Sequence, residues 1–254
     1  MSKISVICRK LNVVMFTGLK YKYRKFKFSQ TKEFAKMLAF YGGIVKKGDL
    51  VFDIGSNNGE RAMVFEKLGA KLICVEPQQT CVALLKQYFG KNENVVIVDK
   101  ACGAAPGVGE ISICDEADTI SSMSEKWINS GRFSKEFHWD KKQKVEITTL
   151  DMLVEKYGVP VLCKVDVEGF ETEVLKGLHK KAGIISFEFT QEFFDDAETC
   201  MNLMEALGGT AYNYCLAENM YYEMPQFTSR TELTAAIKER FHTDLWGDIY
   251  VQFK

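Results

Sequence analysis

From Leu50 onward the chain repeats one pattern. A short apolar run ends at a glycine, a proline or an acid, and a stretch with one apolar face at helical spacing follows. Parallel strands need long crossovers and helices supply them, so this alternation restricts the chain to a parallel sheet with helices on its faces. LVFDIG (50–55) reads as a buried strand, 60–68 as a helix stopped by Gly69, and KLICVEP (71–77) as a strand ended by Pro77. Cys81, Leu84, Leu85 and Tyr88 fall on one helical face that Gly90 terminates, and NVVIVDKA (94–101) is a third strand.

The alternation then breaks. EISIC (110–114) and KVEITTLD (144–151) read as strands joined by the polar stretch 115–143, which has no clear periodicity. A connection of that length in a compact domain is expected to serve as a lid or a substrate-binding segment. Alternation resumes with a helix near 151–157, PVLCKVDVE (160–168), a helix carrying Val174, Leu175 and Leu178, and GIISFEF (183–189). A helix with Phe193, Ala197, Cys200, Met204 and Leu207 on one face ends at Gly208-Gly209. AYNYCL (211–216), a helix opened by the Ser229/Glu232 capping box, and DIYVQF (248–253) complete the order. The expected organisation is one domain over 50–254, with a lid-like insertion at 115–143 and an extension at 1–49 packed on the core.

Composition narrows the class of molecule. With 46% hydrophobic and 26% charged residues the chain is an ordinary globular protein, and no apolar run is long enough to span a bilayer. Eight cysteines occur without a C-x-x-C pair and several lie inside apolar runs, so buried, reduced thiols of a cytoplasmic protein are expected rather than staples. ISVIC and LNVVMFTGL near the N-terminus lack the layout of a signal peptide. A net charge of −1 hides an uneven distribution: residues 1–47 hold twelve Lys/Arg and one acid, Glu33. The densest stretch is KYKYRKFKF (20–28). It reads either as a solvated edge strand whose lysines discourage sheet pairing, or as a surface for an acidic or phosphate-bearing partner.

Three constellations carry chemistry. VFDIGSNNGE (51–60) places a glycine turn between a strand and a helix, where free N–H groups face a ligand. It fails the Walker pattern, since Gly55 and Gly59 are four apart and Glu60 follows. It fails the dinucleotide fingerprint, since position 57 is Asn. What remains, D-x-G-x-x-x-G, suits a positively charged ligand without pyrophosphate. Glu76, at the end of the second strand, is placed to take the hydroxyls of a ribose, and the pair of features points to an adenosine ligand. KVDVEGFE (164–171) gathers Asp166, Glu168 and Glu171 at the carboxyl end of the fourth core strand, and Glu188 reaches the same edge. Ligands of open α/β sheets bind there. For Glu168 and Glu171 a second reading is that of acids favoured at a helix N-terminus.

VFDIGSNNGE, CVEPQ, TISSM (119–123), TTLDMLVEKYG, KVDVEGFETEVLKGL and ISFEF, in that order over about 50–190, resemble the FkbM family of S-adenosylmethionine-dependent methyltransferases. The resemblance implies a Rossmann-like, seven-stranded, mostly parallel sheet with helices on both faces and one antiparallel closing strand. It also implies S-adenosyl-L-methionine as cofactor and O-methylation of a small molecule or glycan. By motif position, Asp53, Gly55, Asn57 and Gly59 surround the methionine part, Glu76 the ribose, and Asp99, Lys100 and Ala101 lie near adenine. CGAAPG (102–107) departs from the family's pattern next to the adenine segment.

A hydroxyl acceptor must lose a proton as it is methylated, and a positioned base assists. Asp166 is the first candidate, Glu188 the second, and His138 in the lid segment the third. Nothing in the spacing fixes a metal site, and none is expected. The expected acceptor is a small molecule or a glycan, such as a surface polysaccharide or lipid-linked sugar, with an acidic or phosphate-bearing group to meet the basic extension. Two other readings are a nucleic-acid methyltransferase using the basic extension, and a non-catalytic module that binds S-adenosylmethionine. The first lacks the Asn/Asp-Pro-Pro-aromatic motif and a Pro-Cys nucleophile; against the second, the cofactor motifs are intact.

Overall fold

A computed structural model of the chain describes residues 20–242 and 244–253. The two apolar N-terminal stretches and Cys8 lie outside the described residues. Residues 20–29 are helical (α1), followed by α2 (Lys32–Gly42), β1 (Leu50–Ile54), α3 (Glu60–Leu68), β2 (Lys71–Val75), α4 (Gln79–Phe89) and β3 (Val95–Val98). Next come β4 (Ala101–Cys102), β5 (Gly107–Ile113), α5 (Glu125–Ser130), β6 (Lys141–Thr148) and α6 (Leu150–Tyr157). The chain ends with β7 (Leu162–Val165), α7 (Glu171–Lys176), β8 (Ile184–Thr190), α8 (Phe194–Ala206), β9 (Gly209–Leu216), α9 (Arg230–Lys238) and β10 (Trp246–Phe253).

Seven strands form one sheet in the order β3-β2-β1-β7-β8-β10-β9. All neighbours are parallel except β10, which runs antiparallel to both β8 and β9. The central strands are buried on both faces, so they read as apolar runs rather than as alternation. Within β1 and β2 the pleat still sorts side chains. Val51, Leu72 and Cys74 join the layer under α2, α3 and α4, while Phe52, Ile54, Ile73 and Val75 join the layer built on α6 to α9. The chain leaves β1 in one direction through β2 and β3, and returns on its other side as β7. That reversal opens a crevice at the carboxyl ends of β1 and β7.

Three segments differ from the sequence expectation. KYKYRKFKF is helix, not edge strand. Alternating bases and aromatics mimic a strand period, but Tyr21, Lys25 and Phe28 share one helical face, and tertiary contacts on that face decide. Tyr21 meets Tyr88 edge-on, Phe28 meets Phe34, and Lys25 pairs with Glu66 and sits over Phe89. NVVIVDKA divides between two sheets: β3 stays in the large one, and Ala101–Cys102 pairs with β6 in a three-stranded sheet ordered β4-β6-β5. The segment 115–143 carries a 3-10 turn at Asp118–Ile120 and α5, which Ser124 caps, and β6 already starts at Lys141. The seven described cysteines are buried and unbridged. Among the described residues no helix is long and apolar enough to cross a membrane.

Candidate active site

One cavity of about 400 Å³ lies over the carboxyl ends of β1, β2, β7 and β8. Its first wall is the β1–α3 turn. Gly55 has φ +81° and sits so close to the Asp166 carbonyl that an added Cβ would lie 1.8 Å from it. Only glycine fits, and the contact locks the turn to the end of β7. Asn57 (φ +44°) and Gly59 (φ +80°) complete the left-handed turn, and Gly59 caps α3. Glu76 is buried. Its Oε2 accepts from the Asn57 N–H at 2.8 Å and its Oε1 from the Gln78 N–H at 2.7 Å. Glu76 thus fixes the turn from the end of β2, and it lines the cavity.

Asp53 is 2% exposed, and its Oδ2 has no hydrogen-bond partner. Burial pushes its carboxyl up to about 6, opposed by the Arg61 guanidinium and Ser56. Asp53, Gly55, Asn57, Glu76, Lys100 and Ala101 line the cavity. Gly59 supports it from behind, against Leu85 and Phe89. Asp99 faces α4 instead, accepting from Gln79 Nε2 at 2.9 Å and pairing with Lys86.

The opposite wall belongs to β7, β8 and the segment 115–143. Carboxylate oxygens of Asp166, Glu168 and Glu188 lie within 4.8 Å of one another. The three are not equivalent. Asp166 pairs with Lys164 Nζ at 3.1 Å and Arg61 Nη1 at 3.4 Å, which hold its carboxyl below the usual aspartate range despite desolvation. Lys164 is fully buried and also pairs with Asp248 at 2.9 Å. Desolvation, reinforced by the Asp166 charge, pushes Glu168 well above the usual glutamate range. Glu188 is pushed up in the same way, with Glu168 and Asp166 as the repelling charges.

The backbone at Glu168 is left-handed (φ +54°), a conformation a glutamate holds only when its surroundings impose it. Two restraints do so. Ser122 Oγ donates to the Glu168 carbonyl at 2.6 Å, and Glu171 Oε1 accepts from the N–H groups of Val167 (3.0 Å) and Gly169 (3.3 Å). Glu171 is thus a loop staple, with burial raising its carboxyl to about 7, whereas Glu168 lines the cavity.

Residues 119–123 with Trp127, Arg132 and Phe133 form the roof. Arg132 makes a two-point ion pair with Glu192, both contacts at 2.8 Å, which ties the roof to the segment after β8. His138 is exposed and is not among the cavity-lining residues. Sequence reasoning missed Lys164, Arg61, Ser122, Trp127 and Arg132. Lys164 carried a signal: a lysine inside the apolar run VLCKV must be paired if buried. Ser122 lies in the TISSM motif, which marked the segment without showing its role; Arg61, Trp127 and Arg132 carried no signal, because the groups they meet are distant in sequence.

The fold and crevice are those of an open, doubly wound α/β protein. A family model described as the methyltransferase FkbM domain matches residues 53–214, more than half of the chain. The protein belongs to that family. No curated protein matches it. Solved structures similar to it include a TehB-like SAM-dependent methyltransferase from Corynebacterium glutamicum (12% identity, 86% of this chain and 88% of that one, TM-score 0.46). Also similar are a precorrin-6y C5,15-methyltransferase from Geobacter metallireducens (10%, 87% and 87%, 0.45) and a putative methyltransferase from Streptococcus mutans in complex with SAH (10%, 84% and 94%, 0.40).

Proposed function

We propose that the protein is an S-adenosylmethionine-dependent O-methyltransferase whose acceptor presents a hydroxyl of a sugar or similar polyhydroxylated group. The observation that carries this reading is the asymmetry of the cavity. One wall suits an adenosine ligand, with a buried Asp53 whose Oδ2 has no hydrogen-bond partner and a turn-fixing Glu76. The other holds two carboxylates of raised pKa among Trp127, Phe133, Phe170 and Trp246. Carboxylates accept sugar hydroxyls and aromatic faces stack on sugar rings.

The site fits the cofactor. Buried acid suits a sulfonium and an ammonium group and Glu76 suits a ribose, while the N–H groups of Gly55 to Glu60, expected from the sequence to face a ligand, are all taken within the protein, so the turn is no phosphate cradle. S-adenosylmethionine, when bound, supplies an electrophilic methyl group. The protein's own contribution is to orient the acceptor oxygen, exclude water under the roof, and take the hydroxyl proton. Glu188 is the best-suited base, with Glu168 beside it, because burial and the neighbouring acids make its carboxylate more basic than that of an ordinary glutamate. Asp166, held ionised by Lys164 and Arg61, contributes fixed negative charge, and its pairing makes it a weaker base than its neighbours. An acceptor's acidic group would sit outside this acid-lined space, toward the basic N-terminal region.

The test is methyl transfer from labelled S-adenosylmethionine to a panel of glycosides, simple alcohols, amines and oligonucleotides, with products resolved by mass spectrometry. Methyl ethers on glycosides are expected. Transfer only to amines or to nucleic acid would overturn the acceptor class.

A further inference from the structure

The outward face of α1 has no role in the cavity and is built unlike an ordinary solvated surface. Its inward face is fastened by Tyr21, Lys25 and Phe28, as described above. Directly opposite, three residues apart on the helix, stand Tyr23 at 65% exposure and Phe26 at 62%. Lys22 flanks them on one side, and Lys20, Arg24 and Lys27 on the other; all four are exposed. Two aromatic rings at the centre of an exposed face, bordered by bases on both sides, add nothing to a solvated helix. The same layout is what places a helix in the headgroup region of a bilayer, rings in the interface and charges against anionic lipid.

The position of the face also matters. Arg24 acts on Glu60, which stands on the exposed rim of the cavity. Partial desolvation pushes the Glu60 carboxyl up, while Arg61 and then Arg24 pull it down. Lys25 of α1 pairs with Glu66 of α3, and α3 opens with Glu60 at the cavity rim, so the basic helix is fastened to the element that carries the mouth of the cavity.

We propose that α1 is a peripheral docking surface for an anionic phospholipid bilayer, which holds the cavity mouth beside the membrane. Single-stranded nucleic acid is the competing partner for bases interleaved with aromatics, but there the rings would stack on bases one by one. Here they form one apolar ridge, the shape a lipid interface takes. The inference does not depend on the acceptor reading, since docking is measured without methyl transfer.

Full-length protein is floated with vesicles of phosphatidylcholine alone and with about a third phosphatidylglycerol. Binding is expected only to the anionic vesicles and should fall steeply with salt. Replacing the bases (Lys20→Gln, Lys22→Gln, Lys27→Gln) should weaken binding by about a hundredfold. Tyr23→Ser with Phe26→Ser should weaken it by about tenfold, with affinity for S-adenosylhomocysteine unchanged. Phe26→Trp should retain binding and add fluorescence that brominated lipid quenches. The proposal is overturned by any of three results: no anionic-vesicle binding, binding that the aromatic pair does not affect, or tighter capture of a single-stranded oligonucleotide that vesicles fail to displace.

Discussion

The two walls of the cavity are held together by opposite means. On the β1/β2 side the polar groups of the turn answer one another: both oxygens of Glu76 take backbone N–H groups, and Gly55 is packed on the Asp166 carbonyl. On the β7/β8 side like charges are crowded. Asp166 has two cations, while Glu168 and Glu188 are pushed toward the protonated form. A turn whose N–H groups are all taken has one geometry, and beside it the buried Asp53 Oδ2 stands without a partner. A wall of strained acids has stored cost, which a proton, a cation or an acceptor hydroxyl relieves. The proposed function divides the labour along this line: cofactor binding on the wall whose turn is locked by hydrogen bonds, and proton transfer on the wall where acids crowd one another.

The largest expected effect breaks the charged wall. Lys164→Met leaves Asp166 and Asp248 buried without their shared cation and should cost about 3–5 kcal/mol of unfolding free energy, read from urea melts. A loss below about 1 kcal/mol would show that Lys164 is not the cation that holds these two acids in the fold.

Next is the proposed base. Glu188→Gln should lower kcat by about 10²-fold or more. In the wild type, activity should fall as pH drops through a pKa well above that of an ordinary glutamate, because the base must be ionised. The variant should lose that acid limb. If Glu168→Gln alone removes it, the proton goes to Glu168.

Asp53→Asn sharpens the comparison from the other side. The folded state holds the Asp53 proton up to about pH 6, above the usual aspartate range. The Asp53 contribution to apo stability should therefore fall as pH rises from about 4 to 6 and stay level above that, a step that the difference between wild type and Asp53→Asn isolates from the raised Glu171. Removing the charge should raise apo stability at pH 7.5 by about 1–3 kcal/mol, a few degrees in Tm, while weakening cofactor binding. Unchanged Tm would show that the ionised carboxylate is already compensated.

The smallest effect concerns metals. The spacing of Asp166, Glu168 and Glu188 would admit a hard cation, but Lys164 and Arg61 already supply positive charge there. Dialysis against EDTA should leave kcat within about twofold, where loss of a metal that polarises the acceptor would remove several kcal/mol of stabilisation. A collapse reversed by Mg²⁺ would replace the general-base reading.

The sequence made the first wall almost fully legible. Asp53, the Gly55–Gly59 turn and Glu76 lie within one βαβ unit, so local pattern sufficed. The second wall was legible only as acids at a strand end. Which acid is paired depends on Arg61 from α3, Lys164 from the strand itself and Asp248 from the last strand. Those contacts join residues from 61 to 248, and no local pattern encodes them. The roof was legible as an insertion but not as α5 with a Ser122 anchor, because a six-residue helix leaves no periodicity to read. In α1 local pattern misled outright, since a period-two alternation of bases and rings belongs equally to a strand and to a helix with one face docked.

The most direct measurement is a calorimetric titration of S-adenosylhomocysteine into wild type, Glu76→Gln and Glu188→Gln, with kcat measured on the same preparations. If the walls divide binding from proton transfer, Glu76→Gln loses about 1–3 kcal/mol of affinity, the scale of a charged hydrogen bond. Glu188→Gln would then bind within a few-fold of wild type while its kcat falls by about 10²-fold or more. Equal affinity in the wild type and Glu76→Gln, or lost affinity with normal turnover in Glu188→Gln, would contradict that division.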